Sequence, residues 1–158
     1  MTKKSKKILT EVSAGELLDK ISILEIKLDK ITDKENLQEI NKEYKSLNDT
    51  KKTHLKITPD IQNMINQLKD VNIKLWSIED EKRICEKNKD FGSKFIKLAR
   101  DVYINNDNRA KIKLEINKLL GSNIKENNAI RAANPYSISK VGHDLIWLGT
   151  QVLRVCFQ

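Results

Sequence analysis

The feature that most constrains this chain is a long apolar stripe in its centre. The stripe follows Thr58 and Pro59, and its members alternate between spacings of three and four positions. They are Ile61, Met64, Leu68, Val71, Leu75, Ile78 and, beyond Lys82, Cys85. This spacing is typical of a helix that buries one stripe against a partner. A rod of about 40 Å cannot bury its stripe alone, so we expect other helices of the chain to cover it.

The first segment begins at Ser13, which forms a capping box with Glu16. Its stripe consists of Leu17, Ile21, Leu24, Leu28 and Ile31. Ile23 and Ile26 lie on the opposite side of the same helix, so this helix needs two neighbours. Either it is central in a bundle, or one of its faces contacts a second copy of the chain.

Two further segments complete the pattern. Residues 34–55 follow a cap at Asp33 or Thr32 and carry the stripe Leu37, Ile40, Tyr44 and Leu47. The short connection predicts an antiparallel pair with the first segment. The last segment follows the break at residues 90–92 and ends at Gly121. Residues 105–108 prefer caps and turns, so we predict either a bend or a division into two short helices there.

These segments predict an all-α fold of two long antiparallel helical hairpins that form a coiled-coil-like bundle over residues 13–121. No strand-like alternation interrupts them. Residues 1–12 are predicted to be a basic flexible arm. Residues 122–158 differ in residue pattern from the helical segments before them. We interpret them as an extraneous tail that forms an extra C-terminal helix or is disordered.

The charge of the chain is +8, from 30 Lys and Arg against 22 Asp and Glu. Only five of these residues are arginine and aromatic residues make up 5%, so the bidentate and stacking groups that read nucleic acids are scarce. Weak nucleic-acid binding through lysines is left as an alternative. No apolar run is long enough for a membrane span or a signal peptide, and two cysteines make no disulfide framework. We therefore predict a cytoplasmic location.

The second hairpin contains the best polar cluster. Pairing its two arms about residue 91 places Asn72 opposite Arg109 and Trp76 opposite Asn105 and Asn106. The candidate residues are Trp76, Asp80, Arg83, Asp90, Arg100, Asp107 and Arg109. We favour ion pairs that fix the register of the hairpin, and a pocket for an anionic or sugar-like ligand is the alternative. His54, His143 and the cysteines lack metal-ligand spacing, so we predict no metal and no cofactor.

Four motifs carry a family resemblance: residues 15–27, 75–80, 90–92 and 106–110. In this order they resemble a bacterial family called domain of unknown function 6165, over roughly residues 11–122. The resemblance implies a small helical bacterial protein and supplies no reaction.

Residues 126–146 are similar to the active-site segment of extended short-chain dehydrogenases, the nucleotide-sugar epimerases and dehydratases. That resemblance implies Tyr136 as the acid/base, with Lys140 lowering its pKa and holding the nicotinamide ribose. No glycine-rich dinucleotide turn is present in the sequence. We therefore predict that Tyr136 and Lys140 are inactive and that the tail is a fragment joined to the helical domain.

The predicted function is a non-catalytic binding or assembly module whose apolar stripes also pack with a second copy. The alternative is a small helical ligand-binding or enzymatic accessory in surface-polysaccharide or nucleotide-sugar metabolism. Whether the chain is an enzyme is left open, and the sequence leans against it.

Overall fold

A computed structural model describes residues 8–124, which contain four helices. The helices are α1 (Ala14–Lys30), α2 (Lys34–His54), α3 (Pro59–Asn88) and α4 (Ser93–Leu119). No strand occurs in this range, which confirms the predicted all-α fold. None of the described helices is long and apolar enough to cross a bilayer. The predictions for residues 1–7 and for the tail beyond residue 124 lie outside the described residues.

The helix ends follow the local chemistry that the sequence indicated. The Ser13 hydroxyl accepts a hydrogen bond from the Glu16 N–H at 3.2 Å, and the Asp33 carboxylate accepts one from the Asn36 N–H at 2.9 Å. Thr58 caps α3, whose first residue is Pro59. Just past α4, Gly121 has a φ of 63°, a left-handed conformation that a side chain would strain. The predicted starts of α1, α2 and α3 are therefore confirmed.

The four helices alternate in direction. Lys20 of α1 pairs with Glu43 of α2 at 2.6 Å, and Glu81 of α3 pairs with Lys94 of α4 at 3.2 Å. Hydrogen bonds also join the start of α1 to the end of α4. The start of α1, the end of α2, the start of α3 and the end of α4 thus lie at one end of the molecule. We call this end, with residues 8–13, 49–60 and 115–124, the bundle base.

Helix α1 is central, because it packs against each of the other three helices. One side of it joins α3 and α4 in a core of Ala14, Leu18, Ile61, Leu68, Val71, Leu75, Ile112 and Ile116. Its other side meets α2, which has no fully buried residue and whose predicted stripe is half-buried. Of the two alternatives for the second apolar face of α1, the central position within one chain is correct.

Helix α4 is continuous from Ser93 to Leu119, so of the two alternatives for residues 105–108, a bend or a division into two short helices, the division is wrong. The polar side chains there bond within the helix instead of ending it. The Asn105 side-chain amide donates to the Asp101 backbone carbonyl at 2.7 Å, and the Asn106 side-chain oxygen accepts from Arg109 at 3.5 Å. Burial of Arg109 and Ile112 on the same helix favours the helical path over the local turn preference.

Candidate functional site

A buried carboxylate, Asp19, is the centre of the polar network inside the bundle. Asp19 comes directly after Leu18 in the sequence of α1, and only 2% of its surface is exposed. Arg109 of α4 donates from Nε to Asp19 Oδ1 at 2.9 Å and from Nη2 to Asp19 Oδ2. This two-pronged geometry matches the planar guanidinium to the carboxylate. The ion pair therefore ties α1 to α4 in a defined orientation.

Helix α3 joins the same network through Asn72. Its side-chain amide donates to Asp19 Oδ1 at 2.8 Å and to the Ser22 hydroxyl at 2.7 Å. The Ser22 hydroxyl in turn donates to the Asp19 backbone carbonyl at 2.8 Å. We name Asp19, Ser22, Asn72 and Arg109 the Asp19 network. It links the three helices that form the core.

A close approach of α1 and α4 lies next to the network, toward the bundle base. The Gly15 N–H donates to the Asn117 side-chain oxygen at 2.6 Å, and the Ala14 N–H donates to the Ser122 hydroxyl at 3.1 Å. A Cβ atom on Gly15 would lie 2.6 Å from the Lys113 carbonyl oxygen. Glycine is therefore required for this approach, and side chains at the end of α4 and just beyond it satisfy N–H groups that the first turn of α1 leaves unpaired.

Two carboxylates of α1 extend the polar contacts outward. Glu16 pairs with Lys113 of α4, and Glu25 pairs with Lys69 of α3 at 2.7 Å. The Tyr44 hydroxyl of α2 donates to the other oxygen of Glu25 at 3.4 Å. Burial, and then the negative charge of Glu25, raise the pKa of Tyr44 above its usual value. Glu25 thus connects α2 to α3 across α1.

The Asp19 network holds α1, α3 and α4 together through hydrogen bonds and a buried ion pair. Both oxygens of Asp19 accept hydrogen bonds from neighbouring helices. Among the described residues, every buried side-chain nitrogen and oxygen atom has a hydrogen-bond partner. A satisfied buried ion pair fixes which helix faces meet, because any other register leaves a charge without its partner.

The predicted polar cluster is not gathered at one place. Arg109 belongs to the Asp19 network, and its predicted partner across the hairpin, Asn72, reaches the same carboxylate. Asp80 and Arg83 form an exposed pair on α3 at 3.1 Å. Asp90 accepts from the Gly92 N–H at 3.1 Å in the α3–α4 turn. Of the remaining candidates, Trp76 and Asp107 are half-buried and Arg100 is exposed.

Sequence reasoning missed Asp19 and Ser22 as network members. Their signal was a second stripe on α1, formed by Gly15, Asp19, Ser22 and Ile26 at spacings of four, three and four. All four are buried. A stripe of small and polar residues at helical spacing can be buried against a neighbouring helix, just as an apolar stripe can.

Outside the Asp19 network, the described residues offer one depression on the surface and one buried cysteine. An open depression on α2 is lined by Gln38, Asn41, Lys42 and Lys45, and these residues are separate from the Asp19 network. Within residues 8–124, no group of three or more His, Cys, Asp or Glu side chains could hold a metal ion. Cys85 is buried on the α3 stripe, as its position in the sequence predicted.

Comparison with known proteins gives one match. The model of a family of unknown function, DUF6165, matches residues 8–142 of the chain, which confirms the resemblance found in the sequence. The matched range extends past residue 122 and includes Tyr136 and Lys140, both outside the described residues. Their inactivity and the boundary of the tail stay predictions. No curated protein and no solved structure matches the chain.

Proposed function

We propose that this chain, which belongs to the DUF6165 family of unknown function, is a non-catalytic binding and assembly module. The observation that carries the proposal is the unequal length of its helices. The α3–α4 hairpin continues past the end of α1, and its far end is available to contact a partner. The compartment we propose is the reducing cytoplasm, since Cys85 is a buried free thiol.

The lengths follow from the helix bounds. Helix α1 has 17 residues and α3 has 30, which correspond to about 25 Å and about 45 Å. The start of α1 is level with the end of α4, because Gly15 bonds to Asn117. The hairpin therefore extends roughly 15–20 Å beyond α1. We call this part, residues 80–100, the hairpin tip.

The hairpin tip has a thin interior, and three of its large apolar side chains are exposed among charged ones. Cys85 and Leu98 are buried in it, whereas Ile84, Phe91 and Ile96 are 55%, 48% and 48% exposed. The Phe91 ring makes an edge-to-face contact with Phe95 at 5.4 Å between centroids. Two helices alone bury little apolar area, and a bundle of four is a far more stable arrangement.

A second copy of the chain is the partner that fits this tip. Two hairpin tips related by a two-fold axis supply the four helices of an antiparallel bundle, and the same residues face each other across the axis. The charges of the tip are mixed, with Glu86 paired to Lys89 and Glu81 paired to Lys94. Two copies of a surface that carries both positive and negative charges repel each other less than two copies of a surface whose charges all have one sign.

The Asp19 network supports the non-catalytic part of the proposal. Its charged and polar groups are committed to one another and hold α1 on the hairpin. The hairpin is then anchored at the bundle base and free to present its tip. In this view Asp19 and Arg109 position an interaction surface and do not react with a substrate.

The test is the molar mass of the full chain by size-exclusion chromatography with light scattering across a concentration series. The proposal expects a dimer whose dissociation is visible on dilution. Replacing Ile84→Asp together with Ile96→Asp should give a monomer with unchanged helix content by circular dichroism. The matched control, Leu119→Asp with Val12→Asp at the bundle base, should leave the dimer intact. A strict monomer at the highest attainable concentration, or equal effects of both variants, would overturn the proposal.

A further inference from the structure

We infer that the second copy of the chain is held by one face of α4, and that the two α4 helices pair antiparallel about an axis between Tyr103 and Ile104. In this pairing Arg100 faces the partner's Asp107, and Asp107 faces the partner's Arg100. The inference rests on the assembly proposal and deepens it, because it names the helix face that binds the second copy and the register of the two helices.

The face in question carries three exposed apolar side chains. Ile96, Tyr103 and Ile104 are 48%, 50% and 53% exposed. Arg100, which is exposed, and Asp107, which is half-buried, lie on the same side of α4, because the five residues follow one another at spacings of four, three, one and three. We call these five residues the α4 outer face. The buried residues of α4 lie on the opposite side and include Leu98, Val102, Arg109, Ile112 and Ile116.

Helix α1 does not cover the α4 outer face. It bonds to α4 at Arg109 and Asn117, and its later part contacts α3 instead, where Glu25 pairs with Lys69. Within residues 8–124 the apolar side chains of the α4 outer face therefore stay in contact with water. Apolar residues that are exposed singly need no explanation, but a group of them on one face marks a contact surface.

The two charged side chains of the α4 outer face have no bonded partner within the described part of the chain. No ion pair or hydrogen bond joins the side chain of Arg100 or Asp107 to another described residue. They are seven positions apart, which is about 10 Å along a helix, so they cannot pair with each other. By contrast, Asp80 and Arg83 of the same hairpin pair with one another. Arg100 and Asp107 are therefore available to a partner with the complementary arrangement of charges.

A second copy of the chain has this complementary arrangement. The midpoint between Arg100 and Asp107 falls between Tyr103 and Ile104. A two-fold axis through this point, perpendicular to α4, places Arg100 opposite the partner's Asp107 and repeats the same ion pair on the other side of the axis. Tyr103 then meets the partner's Ile104 at the centre. One symmetry operation thus pairs both charges and covers the apolar side chains between them.

The ends of the α4 outer face also fit this register. The two-fold axis places the partner's Lys111 beside Ile96, where the aliphatic stem of the lysine can cover the isoleucine while its ammonium group stays in water. Residues 93–114 of the two copies overlap, which gives about 30 Å of paired helix. A helix pair of this length buries less than the roughly 1,600 Å² of a standard interface. This agrees with a dimer that dissociates on dilution.

The charges of the α4 outer face disfavour a partner of one charge sign. Nucleic acid or an anionic membrane would attract Arg100 and repel Asp107, which lies on the same side of the helix. A surface that carries both signs, at equal distances from an apolar centre, is complementary to itself. The observations therefore favour the second copy as the occupant of this face.

The experiment exchanges the two charges and measures the dissociation constant of the dimer by analytical ultracentrifugation of the full chain. Arg100→Asp alone places acidic residues opposite each other, and Asp107→Arg alone places basic residues opposite each other. Each should raise the dissociation constant by about fivefold or more. Arg100→Asp together with Asp107→Arg restores opposite charges across the axis. This double exchange should return the dissociation constant to within about twofold of the wild-type value.

The matched control is Lys42→Asp on α2, which makes the same change of charge as Arg100→Asp at an exposed residue and should leave the dissociation constant unchanged. Ile104→Asp should abolish the dimer, and all variants should keep the wild-type helix content by circular dichroism. The inference is overturned, and the assembly proposal stands, if a dimer forms that Ile104→Asp or the single exchanges do not weaken, or that the double exchange does not restore. In that case the α4 outer face has another occupant. A strict monomer would overturn both.

Discussion

Asp19 and Arg109, ninety positions apart in the chain, form a bidentate ion pair in the interior of the bundle. Asp19 is 2% exposed and Arg109 is 9% exposed. Removing two charges from water costs free energy that their attraction only partly returns. The pair favours the alignment of α1 on the α3–α4 hairpin that brings its partners together, because an alignment that separates them leaves a buried charge without its partner.

Replacing Arg109→Met should destabilise the fold strongly. The Asp19 carboxylate would remain buried with Asn72 as its neighbour and without its counter-charge. We expect the free energy of unfolding to fall by about 3–5 kcal/mol, measured by urea denaturation. The control is Arg83→Met, which removes an exposed partner of Asp80 and should cost under about 1 kcal/mol. Similar losses for the two variants would show that Arg109 has no special role.

Replacing Gly15→Ala should destabilise the fold even though alanine is the better helix former by up to about 1 kcal/mol. The added Cβ would meet the Lys113 carbonyl oxygen at 2.6 Å and the Asn117 side-chain oxygen at 2.9 Å. Moving the α4 backbone away from this Cβ costs free energy. We therefore expect the free energy of unfolding to fall by about 1–3 kcal/mol, measured by thermal or urea denaturation.

The comparison variant for Gly15 is Gly92→Ala, at the start of α4. There the nearest atom is an Asp90 carboxylate oxygen at 3.3 Å, on an exposed side chain. We expect a change under about 1 kcal/mol. If Gly15→Ala were neutral or stabilising, the close approach of α1 and α4 would be refuted.

Replacing Asn117→Ala tests how much the first turn of α1 depends on its contact with α4. Asn117 is 1% exposed and accepts from the Gly15 N–H, so its loss leaves that donor unsatisfied and opens a small cavity. We expect a cost of about 1–3 kcal/mol, together with faster amide exchange at Gly15. The exposed neighbour Asn123→Ala serves as control and should change the free energy of unfolding by about 0.5 kcal/mol or less.

The Tyr44 hydroxyl should titrate above the usual tyrosine pKa near 10. Its folded-state pKa is raised by burial and by Glu25, so the contribution of this phenol to stability is present below the unfolded pKa. That contribution is lost as the pH rises through the folded pKa. Ultraviolet titration of a Tyr103→Phe, Tyr136→Phe variant isolates Tyr44. Adding Glu25→Gln should lower its pKa, and an unchanged midpoint would contradict the Glu25 contact.

The helices were predictable because their signals are local. Ser13, Asp33 and Thr58 cap helices with their own side chains, and the apolar stripes repeat at helical spacing. The placement of Asn72 opposite Arg109, both of which bond to Asp19, also followed from folding one hairpin about its turn. The sequence left open whether α4 is one helix or two, because the preference of residues 105–108 for turns is local whereas the burial that overrides it is tertiary.

The centre of the candidate site was not predictable from charge patterning alone. Asp19 lies beside Lys20 in a helix rich in charged residues, and an aspartate in such a helix is normally solvated. Its burial depends on α3 and α4, which follow it by about fifty and ninety positions. Conversely, Asp80 and Arg83 looked equally eligible in sequence, but they pair with each other three positions apart on an exposed face.

The most direct measurement of the central claim is a double-mutant cycle on the unfolding free energy with Asp19→Asn, Arg109→Met and their combination. If Asp19 and Arg109 exist to align helices, the two changes are strongly coupled. The double variant should then be more stable than the sum of the single losses implies, by about 2 kcal/mol or more. A cycle on Asp80→Asn and Arg83→Met should show almost no coupling. Additive losses at Asp19 and Arg109, within about 0.5 kcal/mol, would contradict the account.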